Sequence, residues 1–150
     1  YHHFGSKEGV AAELYERGII DYQSGLGAIL KSGAPPATVV ANMAAHHLRW
    51  ARENPDWARF LLHMGAAPAT AAARPSVRGR NADLLNSLNE WSGSTGVADQ
   101  VIDVPPAALL ALILGPSHAL SRTWLAGAMT LDETTIEAVS RAAVRAVLPA

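Results

Sequence analysis

The chain has 150 residues, no cysteine, and 12 basic side chains against 13 acidic ones. This length suits one domain, and a hydrophobic fraction of 49% with balanced charge excludes an intrinsically disordered chain. The missing cysteines exclude a disulfide framework, a thiolate metal site and a cysteine nucleophile. The net charge of -1 argues against a nucleic-acid-binding surface spread over the whole chain.

The hydrophobic periodicity is helical along the whole sequence, so we predict an all-α fold of about six helices. The first helix covers residues 7–31 after an N-cap at Ser6, and Gly25 and Gly27 predict a bend in its middle. A second helix covers residues 35–53, because proline is favoured in a first helical turn. Asn54 is the predicted N-cap of a short third helix that ends at Met64.

The second half of the chain continues the helical pattern. Residues 66–76 are small and contain two prolines, which leaves a loop and a weak helical extension as alternatives. A fourth helix is predicted over residues 77–91, and the fifth, over residues 107–127, is the most apolar, with a kink at Pro116. Thr130 and Glu133 form a capping box, with the threonine as N-cap, that begins the last helix.

The first ten residues carry the most specific pattern in the chain. They read YHHFGSKEGV, an aromatic-rich helix end followed by a tight turn and the start of a long helix. This segment resembles the signature of TetR-family transcriptional regulators, in which the recognition helix of a helix-turn-helix domain ends in Tyr-x-His-Phe. Residues 11–150 resemble that family only in general features: they are helical, with an apolar penultimate helix and an amphipathic last helix.

The resemblance implies that two regions of the chain have different functions. Residues 1–5 would be the C-terminal end of a DNA-binding domain whose remainder is absent, and residues 6–150 would bind a ligand and dimerise. Tyr1, His2, His3 and Lys7 would contact operator DNA, since hydroxyl, imidazole and ammonium groups are suitable phosphate donors. The implied function is a ligand-responsive transcriptional regulator, a repressor that a small apolar or amphipathic effector releases from its operator, without a cofactor.

A ligand pocket needs apolar and aromatic walls with a few polar groups. Candidates for such walls are His47, Trp50, Trp57, Leu61, Met64 and Trp91. The alternative interpretation treats these side chains as ordinary core, and the chain is then a helical dimerisation or adaptor module without a small-molecule ligand.

Metal binding and catalysis are not expected. His46 and His47 are adjacent, and neighbouring helical side chains point about 100° apart, so the two rings do not chelate one ion. Ser117 and His118 are separated in the same way, and the sequence has no nucleophile elbow and no phosphate-binding glycine loop.

The penultimate helix is apolar around most of its circumference, and such a helix must be buried on every side. We therefore predict a homodimer in which the last two helices of each copy form a four-helix bundle. The predicted interface consists of Leu112, Leu120, Trp124, Ile136, Val139, Ala143 and Val147.

Two further expectations concern the chain as a whole. The longest dense apolar run, residues 104–114, is shorter than the roughly 18–20 residues of a membrane span, and no secretory signal is visible, so we expect a cytoplasmic protein. The sequence starts at Tyr1, in the middle of a structured pattern, so we expect it to be part of a longer polypeptide.

Overall fold

The computed structural model describes residues 7–149, and every regular element within that range is helical. The helices are α1 (Lys7–Leu30), α2 (Pro36–Glu53), α3 (Pro55–Met64), a 3-10 helix (Pro68–Ala73), α4 (Arg74–Ser92), α5 (Pro106–Leu125) and α6 (Glu133–Val147). The predicted all-α fold with about six helices is confirmed. None of the helices in the described range combines the length and the apolarity needed to cross a membrane.

The helix boundaries follow the prolines closely. Pro36, Pro55 and Pro106 each begin a helix, where the lack of an N–H group costs no hydrogen bond. Residues 66–76, for which a loop and a weak helical extension are the alternatives, form a turn that leads into the 3-10 helix, and α4 then begins at Arg74, three residues earlier than predicted. α5 is continuous through Pro116.

Two predicted N-caps are corrected. The side chain of Asp132, not that of Thr130, caps α6 by accepting the backbone N–H of Thr135 at 2.9 Å. A carboxylate at this place also interacts favourably with the helix dipole. Asn54 stands before α3, but its amide donates to the carbonyl oxygen of Trp50 at 3.0 Å, so its side chain closes the end of α2 instead.

The core is built around α2, which packs against α1, α3, α5 and α6. The largest apolar cluster joins α1, α2, α4, α5 and α6, and its fully buried members include Leu26, Met43, Leu88 and Ile113. Two smaller clusters continue it, one between α2 and α6 and one between α2 and α3. The result is a single core that leaves the outer faces of α5 and α6 in solvent.

The predicted dimer residues of α6 lie inside the protomer. Ile136, Val139, Ala143 and Val147 are all buried within one chain, because the apolar stripe of α6 packs on α2 and α5. The prediction that this stripe faces a second copy is therefore corrected. On α5, Leu120 and Trp124 are half-buried against the cluster between α2 and α6. Of the seven predicted interface residues, Leu112 is the one that remains exposed, at 40%.

Two glycines bring α1 close to its neighbours. A Cβ at Gly18 would lie 2.6 Å from Trp57 Nε1, and a Cβ at Gly25 would lie 2.2 Å from the ring of His46. Both rings use this space to donate to main-chain oxygens of α1, Trp57 to Leu14 at 3.1 Å and His46 to Tyr22 at 2.9 Å. Since the two glycines are seven residues apart, they lie on one face of the helix. α1 is thereby fixed against α2 and α3.

Candidate functional site

A cavity of about 200 Å³ lies where α1, α2, α3 and α5 meet. Each helix contributes three residues to its wall. The lining residues are Tyr15, Ile19, Tyr22, His47, Trp50, Ala51, Ala58, Leu61, Leu62, His118, Ser121 and Arg122. The wall is mostly apolar and aromatic, with a few polar groups from α1, α2 and α5, which is the composition of a small-molecule pocket.

A chain of hydrogen bonds crosses the cavity wall from α1 to α5. The hydroxyl of Tyr22 lies 2.7 Å from His47 Nδ1, and His47 Nε2 lies 3.0 Å from the hydroxyl oxygen of Ser121. Ser121 in turn donates to the carbonyl oxygen of His118 at 2.9 Å. With the hydroxyl hydrogen of Ser121 used in that last bond, the tautomer of His47 that completes the chain donates from Nε2 and accepts from Tyr22 at Nδ1.

The direction of these bonds decides what the pair of His47 and Ser121 can do. A histidine that activates a serine must accept the hydroxyl proton at the nitrogen that faces it. In the tautomer that completes the chain, Nε2 of His47 carries a hydrogen and Tyr22 donates to the other nitrogen. In this tautomer the chain of bonds fixes the positions of the rings in the cavity wall.

Burial keeps this chain uncharged. Burial lowers the pKa of His47 to about 3, and the positive charges that His118, His46 and Arg122 bring nearby act in the same direction. Burial also raises the pKa of the Tyr22 hydroxyl. At neutral pH both groups are therefore neutral, which fits the donor and acceptor pattern that connects them.

The aromatic rings around Tyr22 form one packed unit. His46 stacks on it, with ring centroids 5.5 Å apart, while His47 and Trp50 meet it edge-on, each at 5.4 Å. Trp50 donates its indole N–H to Asp21 at 2.7 Å, so this buried polar group also has a partner. The unit satisfies its own hydrogen bonds and offers apolar ring surface to the cavity.

Arg122 and His118 form the polar side of the cavity. The ring of His118 lies against that of His47, with centroids 4.2 Å apart. Part of its surface is exposed to solvent, but burial of the remainder and the charge of Arg122 lower its pKa. Within residues 7–149 the guanidinium of Arg122 has no ion pair.

The structure brings together three of the six predicted pocket residues. His47, Trp50 and Leu61 line the cavity. Trp57 lies behind Trp50, with ring centroids 6.1 Å apart, and faces α1 instead of the cavity. Met64 lies at the end of α3 away from the lining residues, and Trp91 is buried in the largest core cluster. The prediction that Trp57, Met64 and Trp91 line the pocket is therefore corrected.

Sequence reasoning missed the contribution of α1 and α5. Tyr15, Ile19 and Tyr22 follow each other at three- and four-residue spacing and so share one face of α1, next to the face that holds Gly18. Ser121 and Arg122 come after Pro116 in a helix that the sequence assigns wholly to dimerisation. A pair of glycines seven residues apart in an otherwise regular helix was the available signal, because it indicates a close helix contact.

The other clefts and polar groups of the described structure are weaker candidates for a functional site. A more open cleft of about 630 Å³ lies between the loops that follow α1 and α4, and its two charged residues, Lys31 and Glu90, are of opposite sign and exposed. Ser117 is fully buried and donates to the carbonyl oxygen of Ala44 at 3.0 Å, which is a structural contact between α5 and α2. Among residues 7–149 no group of three histidine, aspartate or glutamate side chains is arranged to hold a metal ion.

The predicted DNA contacts cannot be placed in this geometry. Tyr1, His2 and His3 lie outside the described residues, as does the predicted N-cap Ser6. Lys7 is the first residue of α1 and is exposed.

Comparison with known proteins assigns this chain to no family. No protein-family model matches the chain, and no curated protein matches it in sequence. Within residues 7–149 the structure defines an all-helical fold with a small, largely apolar cavity where α1, α2, α3 and α5 meet.

Proposed function

We propose that the chain is the effector-binding and dimerisation region of a ligand-responsive, DNA-binding transcriptional regulator of the TetR kind, and that it acts as a cytoplasmic repressor. One observation carries the proposal. α1, which follows directly on the segment resembling the end of a recognition helix, supplies three of the residues that line the cavity. A ligand in the cavity would contact the helix that leads to the DNA-binding segment.

The proposed mechanism is a shift between conformations that already exist. A ligand that favours one position of α1 changes the spacing of two DNA-binding segments in a dimer, and the helices of such segments must fit major grooves about 34–36 Å apart. By linkage, operator DNA weakens ligand binding by the same factor by which the ligand weakens DNA binding. No group of the cavity takes part in covalent chemistry in this mechanism.

Dimerisation uses the outer faces of α5 and α6 in this proposal, because the apolar stripe of α6 is occupied within the protomer. The outer face of α5 consists of small and apolar side chains around Leu112, including Ala108, Ala111 and Ala119, all of them exposed in the single chain. Leu112→Arg is expected to convert a dimer into a monomer in light scattering after size-exclusion chromatography. Leu14→Arg, at a comparably exposed leucine of α1, is the matched control and should leave the mass unchanged.

The central experiment uses the full-length protein and a cavity-filling variant. Operator sites are first selected from fragmented genomic DNA, and the affinity for them is then measured by fluorescence anisotropy with and without compounds that raise the Tm. Ala58 is buried in the cavity wall, so Ala58→Leu should block ligand binding and keep the protein on DNA. Ala82→Leu, on the exposed side of α4, should respond like the unaltered protein.

The outcomes separate the regulator from the adaptor module. Loss of DNA affinity on ligand addition in the unaltered protein, but not in Ala58→Leu, supports the regulator. A protein that selects no DNA sequence, or whose DNA affinity is the same with every stabilising compound, refutes it.

A further inference from the structure

The charge of the cavity wall points to the chemistry of its occupant. Among the twelve lining residues only Arg122 carries a formal charge at neutral pH, because the two lining histidines are held in their neutral forms. Four of the other polar side chains of the wall already have partners: Tyr22 and Ser121 bond to His47, and Trp50 bonds to Asp21.

The Tyr15 hydroxyl on the α1 side has no partner among the described residues, and the other two exceptions are Arg122 and His118 of α5. Neither side chain makes a hydrogen bond or an ion pair to another residue in the described range, and both lie on the cavity side of α5, one turn apart. A guanidinium offers parallel N–H donors that match the two oxygens of a carboxylate, and a neutral imidazole adds one further N–H donor. The pair thus offers the parallel donors of a guanidinium and one imidazole N–H on the same side of the cavity, which suits an anion.

The wall opposite Arg122 and His118 limits the size and shape of the rest of the ligand. Tyr15, Tyr22 and Trp50 supply flat aromatic surface, and Ile19 and Leu61 close the space between them. A cavity of about 150 Å³ lined by apolar side chains holds one benzene ring. At about 200 Å³, this cavity has room for one aromatic ring with a short side arm.

We propose that the cavity binds a monocyclic aromatic carboxylate, with its ring against Tyr22 and Trp50 and its carboxylate on Arg122 and His118. The inference rests on the proposed function of the same cavity and gives it a ligand class. The ligand joins α1 and α2, which hold the ring, to α5, which holds the acid group.

The test compares ligands that differ only in charge. The panel consists of benzoate, phenylacetate and 3-phenylpropionate, each with its primary amide, and binding is measured by calorimetry and by the fluorescence of the tryptophans, of which Trp50 lies in the wall. At least one acid is expected to bind about tenfold more tightly than its amide, the size of effect that a charge-assisted hydrogen bond at a partly exposed site supports.

Variants of Arg122 test the assignment. Arg122→Gln should weaken the acid about tenfold and leave the amide unchanged, and Arg122→Lys should fall between, since it keeps the charge but loses the paired donors. Arg78→Gln, at an exposed arginine of α4 away from the cavity, is the matched control. Circular dichroism checks that each variant keeps its helical content.

Each outcome decides a separate point. Equal affinity for acids and amides, or an acid preference that survives Arg122→Gln, refutes the carboxylate assignment while ligand binding in the cavity stands. If no acid and no amide of the panel binds, the carboxylate assignment is refuted, and if the Ala58→Leu comparison also shows no ligand response, the proposed function falls with it.

Discussion

Two glycines of α1, two residues apart, are expected to respond in opposite directions to alanine. A Cβ at Gly27 has no atom within 4 Å, whereas a Cβ at Gly25 would lie 2.2 Å from Cε1 of His46 and 2.6 Å from its Nε2. The ring of His46 would have to leave its place. Its hydrogen bond to the carbonyl oxygen of Tyr22 and its stacking on the Tyr22 ring would then be lost.

The magnitudes follow from these contacts. Alanine is more favourable than glycine in a helix interior by about 0.8–1 kcal/mol, so Gly27→Ala should raise the free energy of unfolding by about 1 kcal/mol. Gly25→Ala has the same gain but loses a hydrogen bond of about 1 kcal/mol and a ring contact of about 0.5–1.5 kcal/mol. We expect it to destabilise the protein by about 1 kcal/mol, so the two variants should differ by about 2 kcal/mol.

Urea denaturation followed by circular dichroism measures both changes, and each kcal/mol corresponds to a shift of about 2–4 °C in Tm for a chain of this size. The control is a double-mutant cycle with His46→Ala. Without the imidazole ring, Gly25→Ala should become stabilising, like Gly27→Ala. If Gly25→Ala already stabilises the protein with His46 present, the reasoning about the close contact between α1 and α2 is refuted.

Three further changes test the site and the last helix. Tyr22→Phe removes the donor to His47 Nδ1, and a nitrogen left without a partner in the cavity wall should cost about 1–3 kcal/mol in urea denaturation. The pKa of His47 is about 3 in the folded protein against an ordinary 6.5, so the unfolded chain binds more protons and stability should fall as the pH drops from 6.5 towards 3, by about 2 kcal/mol at pH 5. The lowered pKa of His118 adds to this change with the same sign. Asp132→Ala should lower the Tm while Thr130→Ala leaves it unchanged, because the aspartate caps α6.

Each of these expectations has a matched control. Tyr15→Phe removes a hydroxyl that makes no side-chain hydrogen bond within the described residues, and it should leave stability nearly unchanged. His47→Gln should flatten the pH dependence between 3 and 6.5, whereas the exposed His63→Gln should not. A pH profile that is the same with and without His47, or equal effects at Asp132 and Thr130, would contradict the assignments.

The helices could be predicted from sequence because their signals are local. A proline fixes its own backbone and lacks its own N–H, so Pro36, Pro55 and Pro106, each placed where a new helical pattern begins, mark helix starts. Asp132 shows the limit of such signals. Thr130 and Asp132 are both good N-caps by residue type, and only the path of the chain into α6 decides which side chain reaches the free N–H of Thr135.

The partners of the apolar faces could not be predicted in the same way. An apolar stripe on α6 requires burial, but the stripe itself carries no information on whether α2 of the same chain or a second copy covers it. The contacts within the candidate site could not be predicted from sequence for the same reason. Tyr22, His47 and Ser121 are 25 and 74 residues apart in sequence, and their hydrogen bonds exist only because three helices converge. Periodicity places each on a helix face without saying which faces meet.

The position of α1 links the cavity to the proposed regulation. At Gly18 and Gly25, α1 is held to α3 and α2 by contacts of Trp57 and His46 with its main-chain oxygens, so these three helices resist separate movement. In the described part of the chain, the hydrogen bonds between the cavity residues of α1 and α5 pass through His47 of α2. A ligand that packs against Tyr22 and binds Arg122 would add a direct connection between α1 and α5 and favour conformations in which its length fits. Under the proposed function, ligand length should therefore control the position of α1 relative to α5, and 3-phenylpropionate and benzoate should differ in their effect on DNA affinity even at saturation.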